Sequence, residues 1–272
     1  MTRKLKVGDT FQSTSGNTYT VIENLADCKS KVKFNDEFGY EVVSDDKTIR
    51  KGSLKNPYYR KLFGKGYFGV GPYKSKLGPG SQGYPNTKEY MAWINMLSRC
   101  YYDKYTFRTT GNKVYDEAEV CDEWLNFQTF AKWFTEKYVY TQFKEQGIKV
   151  ALDKDILGEG SKLYSPETCA LVPVEINSAL IGCSEVMTGN YCVKYNKLKN
   201  GTYSLSLNKP DKTVVRISGL KSPEDCFNEY IKHKKVILTE LANKYKDVIE
   251  QNVYDKLTES WDHFLFKSPV GL

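Results

Sequence analysis

The chain has 272 residues and a formal net charge of +7, and aromatic residues make up 14% of it. This length allows two or three small domains with a substantial core, and the aromatic content excludes a disordered tail. No run approaches the roughly 18 apolar residues of a membrane span, and the N-terminus shows no apolar signal segment. We therefore expect a soluble protein of the cytoplasm with no membrane partner.

Residues 1–56 are expected to form a small SH3-like β-barrel. Apolar side chains at Val32 and Phe34 alternate with lysines, which is the pattern of a half-buried strand. Short apolar runs separated by turns extend this pattern on both sides. The lysines of this strand face either a phosphate backbone or bulk solvent, and both interpretations stay open: Lys29, Lys31 and Lys33.

Residues 57–85 are predicted to be a basic linker rich in glycine, proline, tyrosine and lysine. A connector of this length is usually functional or mobile. Its tyrosines alternate with lysine and arginine, so it could follow a nucleic-acid backbone and stack on bases. The alternative is an arm whose aromatic side chains pack on a neighbouring domain.

Two amphipathic helices are predicted next. In residues 86–102, Thr87 is a candidate N-cap and apolar side chains recur at helical spacing. Residues 121–138 repeat the pattern with aromatic side chains, after an acidic cluster that suits the N-terminus of a helix. Arg99, late in the first helix, is a candidate contact for a DNA phosphate or a partner for nearby carboxylates.

Residues 150–177 predict a strand, a turn, a second strand and the start of a helix. Asp153 and Asp155 end the first strand, and glycines form the turn. Asn177 lies on the helix, which we expect to bring its side chain close to Asp153. Carboxylate and amide oxygens are ligands that suit a hard cation such as Mg²⁺.

Spaced motifs through residues 90–177 (MLSRCY, CDEWLNF, LDKDI and YSPETC) resemble the HNH, or ββα-metal, endonucleases and homing endonucleases carried by phages. The resemblance implies that Asp153 and Asn177 hold Mg²⁺ or another divalent cation at the scissile phosphate. It places Lys154 where the family has its histidine base. A lysine with a pKa near ~10.4 is protonated at neutral pH, so Lys154 would clamp a phosphate unless burial depressed its pKa. Asp155 is a further carboxylate for the metal or a water molecule.

Seven cysteines occur without a CxxC pair, and we expect reduced thiols. Three of them lie in the central segment: Cys100, Cys121 and Cys169. They are either three ligands of a structural zinc, as in some relatives of the resembled nuclease fold, or thiols packed as small hydrophobic side chains. We favour the thiols, because no fourth ligand is evident nearby.

Residues 189–272 predict three antiparallel strands covered by a helix. Asn200-Gly201 is a strong hairpin signal, and Ser222-Pro223 is a typical helix start. The face away from the helix would present groups that can hydrogen-bond to double-stranded DNA in the major groove. These DNA-binding candidates are Lys194, Asn196, Ser204, Ser206 and Arg216.

Residues 189–246 resemble the APETALA/ethylene-response-factor DNA-binding domain, which also occurs in phage homing endonucleases. The similarity implies a sheet that binds DNA. Its matching residues are Tyr191-Cys192-Val193, Gly201-Thr202-Tyr203, Gly219-Leu220, Ser222 to Cys226 and Tyr230.

The sequence thus predicts an α+β protein with a β-barrel domain (1–56), a linker (57–85), an HNH-like domain (86–188) and a sheet-plus-helix domain (189–272). Residues 86–188 carry a net charge of −4 between segments of +7 and +4, which suits a metal site flanked by phosphate-binding modules. A metal-dependent DNA endonuclease is the first hypothesis. The alternatives are an inactive DNA-binding protein on a nuclease scaffold and a protein-binding inhibitor of a host defence or polymerase.

Overall fold

The computed structural model describes residues 4–78, 83–102, 117–158, 160–180, 195–209, 211 and 213–258. The chain divides into two compact units, Met1–Lys74 with Asp122–Phe130 and Ser75–Cys121 with Ala131–Leu272. Its architecture is mixed α+β, with two larger antiparallel sheets and several helices. Among the described helices, none is long and apolar enough to cross a membrane.

The first unit contains an open antiparallel sheet in the order β1-β2-β3-β4. Its elements are β1 (Thr10–Gln12), β2 (Thr18–Asn24), β3 (Lys29–Phe34), β4 (Glu41–Asp45) and the short helix α1 (Asp46–Arg50). The prediction of a closed barrel is wrong for the described residues, in which β1 pairs with β2 alone. After β4 the chain enters α1, capped by Asp45, and so does not extend a strand that could close the sheet.

Strand alternation builds the core of this unit, as the sequence pattern of β3 predicts. Val32 and Phe34 are buried, and the Tyr19 hydroxyl donates a hydrogen bond of 2.7 Å to the main-chain oxygen of Ile49. Helix α1 therefore supplies one wall of the core. The buried apolar cluster consists of Leu5, Tyr19, Val21, Val32, Phe34, Ile49 and Leu54.

The first part of the predicted linker is folded onto the first unit. The ring of Tyr58 stacks on Phe38 at 4.8 Å between centroids. The Gln128 side chain bridges the main chain of Tyr73 with two hydrogen bonds of 3.0 Å. Residues up to Lys74 accordingly belong to this unit, as the packed-arm interpretation expects.

The helical segment is α2 (Lys88–Tyr101), β5 (Glu119–Val120), α3 (Asp122–Leu125), α4 (Phe127–Glu136) and α5 (Tyr138–Glu145). Helix α2 and its N-cap are confirmed, because Thr87 Oγ1 accepts a hydrogen bond from the Tyr90 amide at 3.3 Å. The helix expected over residues 121–138 is interrupted. Asn126 leaves the helix, and its side-chain oxygen accepts a 3.0 Å hydrogen bond from the Gln128 amide, which starts α4 anew.

The hairpin region contains β6 (Val150–Asp153), α6 (Asp155–Gly158), β7 (Leu163–Tyr164), β8 (Ala170–Pro173) and α7 (Val174–Leu180). Strands β6 and β8 are antiparallel, with Val150 opposite Pro173 and Asp153 opposite Ala170. The predicted order of strand, strand and helix is present. The expected glycine turn contains the short helix α6, and Pro173 ends β8 directly before α7.

The C-terminal segment forms β9 (Tyr195–Lys197), β10 (Tyr203–Asn208), β11 (Val214–Leu220), α8 (Pro223–Lys244) and α9 (Gln251–Thr258). The sheet order is β11-β10-β9, and all pairs are antiparallel, as predicted. Ser222 and Asp225 form a reciprocal capping box at the start of α8. Such a box satisfies amide groups that the first helical turn leaves without partners.

One hydrophobic core joins the hairpin and the C-terminal sheet. Val172 and Ile176 lie in the same buried cluster as Leu205 and Leu238. The predicted boundary between residues 188 and 189 therefore does not separate two cores in the described part of the second unit. The hairpin and its helix α7 instead support the sheet and α8.

Candidate functional site

The exposed face of the three-stranded sheet collects polar side chains. Ser206 on β10 lies opposite Arg216 on β11, and Ser204 lies opposite both Asn196 and Ser218. Because side chains alternate across a strand, these residues share one face while Leu205 points into the core. We call this surface the sheet face and define it by Asn196, Ser204, Ser206, Arg216 and Ser218.

The opposite side of this sheet is apolar and covered. Leu205 and Leu207 are 2% and 4% exposed, and they pack in one cluster with Leu238 and Tyr230 of α8. A side chain on the sheet face therefore stands on a backbone that a 22-residue helix holds in place. Rigid support of this kind favours a binding surface, since little conformational entropy is lost when it meets a partner.

Arg216 carries the positive charge of the sheet face. Its side chain is exposed, and no carboxylate of the described residues forms an ion pair with it. The guanidinium group can thus form two parallel hydrogen bonds to a phosphate or to the edge of a guanine. The neighbouring serines are short, so they leave room for a polymer to approach the strands.

Two other DNA contacts were predicted, Lys194 and Arg99. Lys194 lies outside the described residues. Arg99 is half-buried in the last turn of α2, where a cation interacts favourably with the helix dipole. Sequence reasoning also missed Ser218, although its position two residues after Arg216 predicts the same face.

The Asp153 carboxylate caps helix α6. Its Oδ1 atom accepts hydrogen bonds of 2.9 Å from the amides of both Asp155 and Ile156. Asp153 is 7% exposed, and burial raises the pKa of its carboxyl group to about 6. Burial disfavours the charged form more than the two amide donors favour it, so the group titrates near neutral pH.

Lys154 occupies a buried polar corner beside Asp153. Its ammonium group donates hydrogen bonds of 2.8 Å to Asp155 Oδ1 and to the main-chain oxygen of Ser161. It also lies 5.6 Å from the centre of the Tyr164 ring. Lys154 is 8% exposed, whereas the Asp155 side chain is 70% exposed. The lysine is therefore held by internal partners and does not project towards solvent.

Asn177 lies on α7, which starts at the end of the hairpin away from Asp153. Asp153 pairs with Ala170, whereas α7 follows Pro173, which pairs with Val150. Three residues of extended strand span roughly 10 Å. Asn177 is half-buried on α7, and in the described residues no hydrogen bond joins its side chain to Asp153.

Three observations bear on whether these residues could hold a divalent cation. One oxygen of Asp153 accepts hydrogen bonds from two amides, and the neighbouring Lys154 Nζ donates to Asp155 Oδ1. In the part of the chain that the structure describes, no three His, Cys, Asp or Glu side chains are grouped so as to hold a metal ion. The contacts of Asp153 and Lys154 in the described residues are those of a helix cap and of an internal ion pair.

The three central cysteines do not form such a group either. Burial raises the pKa of the Cys100 and Cys169 thiols to about 12, and Cys169 is fully buried. Cys121 is half-buried, and its amide donates to the main-chain oxygen of Tyr164. Buried thiols of this kind pack as small hydrophobic side chains.

The lysines of β3 face a sheet surface that carries both charges. Lys31 forms a 2.6 Å ion pair with Glu41 on β4. Lys29 lies opposite Asp45, and Lys33 lies opposite Glu41. Cross-strand acids thus balance these lysines, which is the arrangement of a solvated face more than of a phosphate-binding one.

Comparisons of the chain with protein-family models, with curated proteins and with solved structures gave no match.

Proposed function

We propose that this protein binds double-stranded DNA through the sheet face. The observation that carries the proposal is the register of β9, β10 and β11, which puts Asn196, Ser204, Ser206 and Arg216 on one exposed side. The other side is buried against α8. A single rigid layer therefore offers hydrogen-bond donors and acceptors to one partner.

The chemistry of these side chains suits the major groove. The groove admits strands, and each base pair presents there a distinct set of donors and acceptors. Arg216 would contact a guanine edge or a phosphate, Asn196 an adenine edge, and the serines either strand. The net charge of +7 would add a salt-dependent attraction to the phosphate backbone.

We also propose that the hairpin of β6 and β8 with α7 is an HNH-like scaffold that supports the sheet and does not cut DNA. Two contacts support this role: Asp153 caps α6, and Lys154 is anchored to Ser161 at the position of the family's base. On this account the four predicted catalytic residues take no part in a reaction. They are Asp153, Lys154, Asp155 and Asn177.

An endonuclease remains the second candidate because of one observation. A carboxyl group with a pKa of about 6, such as that of Asp153, can exchange a proton near neutral pH. It would have to reach substrate from a buried position, which its 7% exposure disfavours. Asp155 is the more accessible carboxylate of the pair.

Two assays separate these candidates. Fluorescence anisotropy with a labelled duplex at low and moderate salt should show binding that weakens steeply as salt rises. Plasmid nicking should then be measured with Mg²⁺ and with Mn²⁺, using the native chain and Asp153→Asn, which preserves the size of the side chain. Binding without nicking supports the proposal that the hairpin is a scaffold that does not cut DNA. Nicking that Asp153→Asn abolishes establishes the endonuclease, and no binding at low salt removes both.

A further inference from the structure

The positive charge of the chain is concentrated outside the sheet face. Residues 47–88 contain ten lysines and arginines and no aspartate or glutamate. The part of this stretch up to Lys74 belongs to the first unit. This local excess of lysine and arginine attracts polyanions, and the proposed sheet face does not include it.

Aromatic rings gather at the start of this basic stretch. Tyr58 stacks on Phe38 with centroids 4.8 Å apart and planes 18° apart, and Tyr67 lies 5.0 Å from Phe38. Phe38 is 37% exposed even though it is a large apolar residue. The exposed part of a ring held in place by its neighbours is a surface on which a further planar group can stack.

Arg60 completes this cluster. Its guanidinium carbon lies 6.0 Å from the centre of the Phe38 ring and 5.8 Å from that of Tyr67. It also forms a 2.8 Å ion pair with Glu37, whose side chain is 63% exposed. An ion pair this exposed contributes little to stability, so a phosphate can replace the carboxylate at small cost. We call Phe38, Tyr58, Arg60 and Tyr67 the aromatic–arginine cluster.

We propose that the aromatic–arginine cluster is a second DNA contact, and that it binds single-stranded DNA. An unpaired base would stack on Phe38 while Arg60 exchanges Glu37 for the adjoining phosphate. Stacking platforms in basic surroundings are how proteins hold single strands without reading their sequence. A duplex keeps its base faces covered, so it cannot use the Phe38 ring. The choice of DNA over RNA rests on the function proposed for the sheet face.

The charge of the surroundings favours this occupant over an apolar protein partner. Eight of the ten cations, Lys47 to Lys74, belong to the same unit as the cluster, and this excess of positive charge favours an anionic partner. Single-stranded DNA supplies a phosphate and a planar ring at every nucleotide. The cluster offers a complementary cation and ring within 6.0 Å of each other.

The test is fluorescence anisotropy of the full chain with a labelled oligothymidine of about 15 nucleotides, within the range of common single-strand sites. Phe38→Leu keeps an apolar side chain but removes the ring, and it should weaken binding about tenfold. Glu37→Gln frees Arg60 and should tighten binding severalfold. Tyr84→Leu and Glu145→Gln are matched controls in the second unit, and they should leave affinity within about twofold.

Thermal unfolding must first show that Phe38→Leu is folded; if it is not, Arg60→Ala and Glu37→Gln decide the question. Unchanged single-strand affinity in Phe38→Leu, or in Arg60→Ala, overturns the proposal. Tighter binding to oligouridine RNA than to the DNA overturns the choice of DNA. Arg216→Ala should weaken duplex binding and spare oligothymidine, so failure of the sheet face and failure of the cluster are distinguishable.

Discussion

The ammonium group of Lys154 donates a hydrogen bond of 2.8 Å to the main-chain carbonyl oxygen of Ser161. This contact ties the start of α6 to the segment that leads into β7, seven residues further along the chain. Lys154 thereby connects α6 to this segment as an internal brace. It also explains why the lysine is buried, since its charge is satisfied by Ser161 and Asp155.

Replacing Lys154 with methionine should destabilise the fold. Methionine keeps the aliphatic stem but leaves the Ser161 carbonyl without its donor, and a lost buried hydrogen bond costs about 1–3 kcal/mol. Urea unfolding followed by circular dichroism measures the change. Lys162→Met is the control: the Lys162 side chain is 49% exposed, and its replacement should change stability by less than about 0.5 kcal/mol. Equal stability of the two variants would show that the brace is unimportant.

Asp153 should behave as a helix cap. Asp153→Ala removes the acceptor for two amides and should lower the free energy of unfolding by about 1–2 kcal/mol. Asp153→Asn retains a side-chain oxygen, so it should lose less unfolding free energy than Asp153→Ala at a pH below the Asp153 pKa. Chemical denaturation of both variants near pH 5 tests this order. A larger loss for asparagine than for alanine would contradict the capping role.

The raised pKa of Asp153 makes stability depend on pH. Its value of about 6 in the folded chain exceeds the unfolded value near ~3.9. The stabilising contribution is therefore fully present below the unfolded pKa, and it is lost as pH rises through 6. A shift of about two units corresponds to on the order of 3 kcal/mol.

The difference between Asp153→Asn and the native chain isolates this effect, because other titrating groups cancel. The unfolding free energy of Asp153→Asn, minus that of the native chain, should increase between about pH 4 and pH 7. Denaturation curves at several pH values provide the measurement. A difference that stays constant with pH would mean that Asp153 is not perturbed by burial.

The capping box of α8 should contribute to the stability of the sheet face. Ser222→Ala removes a 3.0 Å hydrogen bond to the Asp225 amide and should cost about 1 kcal/mol. Ser206→Ala, on the exposed side of β10, should stay within about 0.5 kcal/mol of the native chain. The comparison is made by thermal unfolding. If Ser206→Ala proves the more damaging of the two, the assignment of structural and surface roles is reversed.

Strand alternation and turn chemistry made the C-terminal sheet predictable. Alternation through β10 and β11 and the Asn200-Gly201 turn together determine which side chains face solvent. The same logic identified the N-cap of α2 at Thr87 and the buried positions of β3. In each case the local pattern and the tertiary environment require the same side-chain orientation.

The surroundings of Asp153 and Lys154 were harder to predict, because residue types do not reveal which atoms these two side chains contact. An aspartate that ends a strand looks the same in sequence whether it binds a metal or caps α6. The partner of Lys154 is a main-chain oxygen, which leaves no trace in residue type. Helices of four or five residues, such as α1 and α6, are too short for periodicity to reveal.

Binding of a labelled duplex by the native chain, Arg216→Ala and Lys235→Ala tests the sheet face most directly. Lys235 is an exposed cation on α8, so its replacement removes the same charge away from the sheet face. Arg216→Ala should weaken binding by about 1–3 kcal/mol, whereas Lys235→Ala should change it little. Equal affinities for all three proteins would contradict the proposal that the sheet binds DNA.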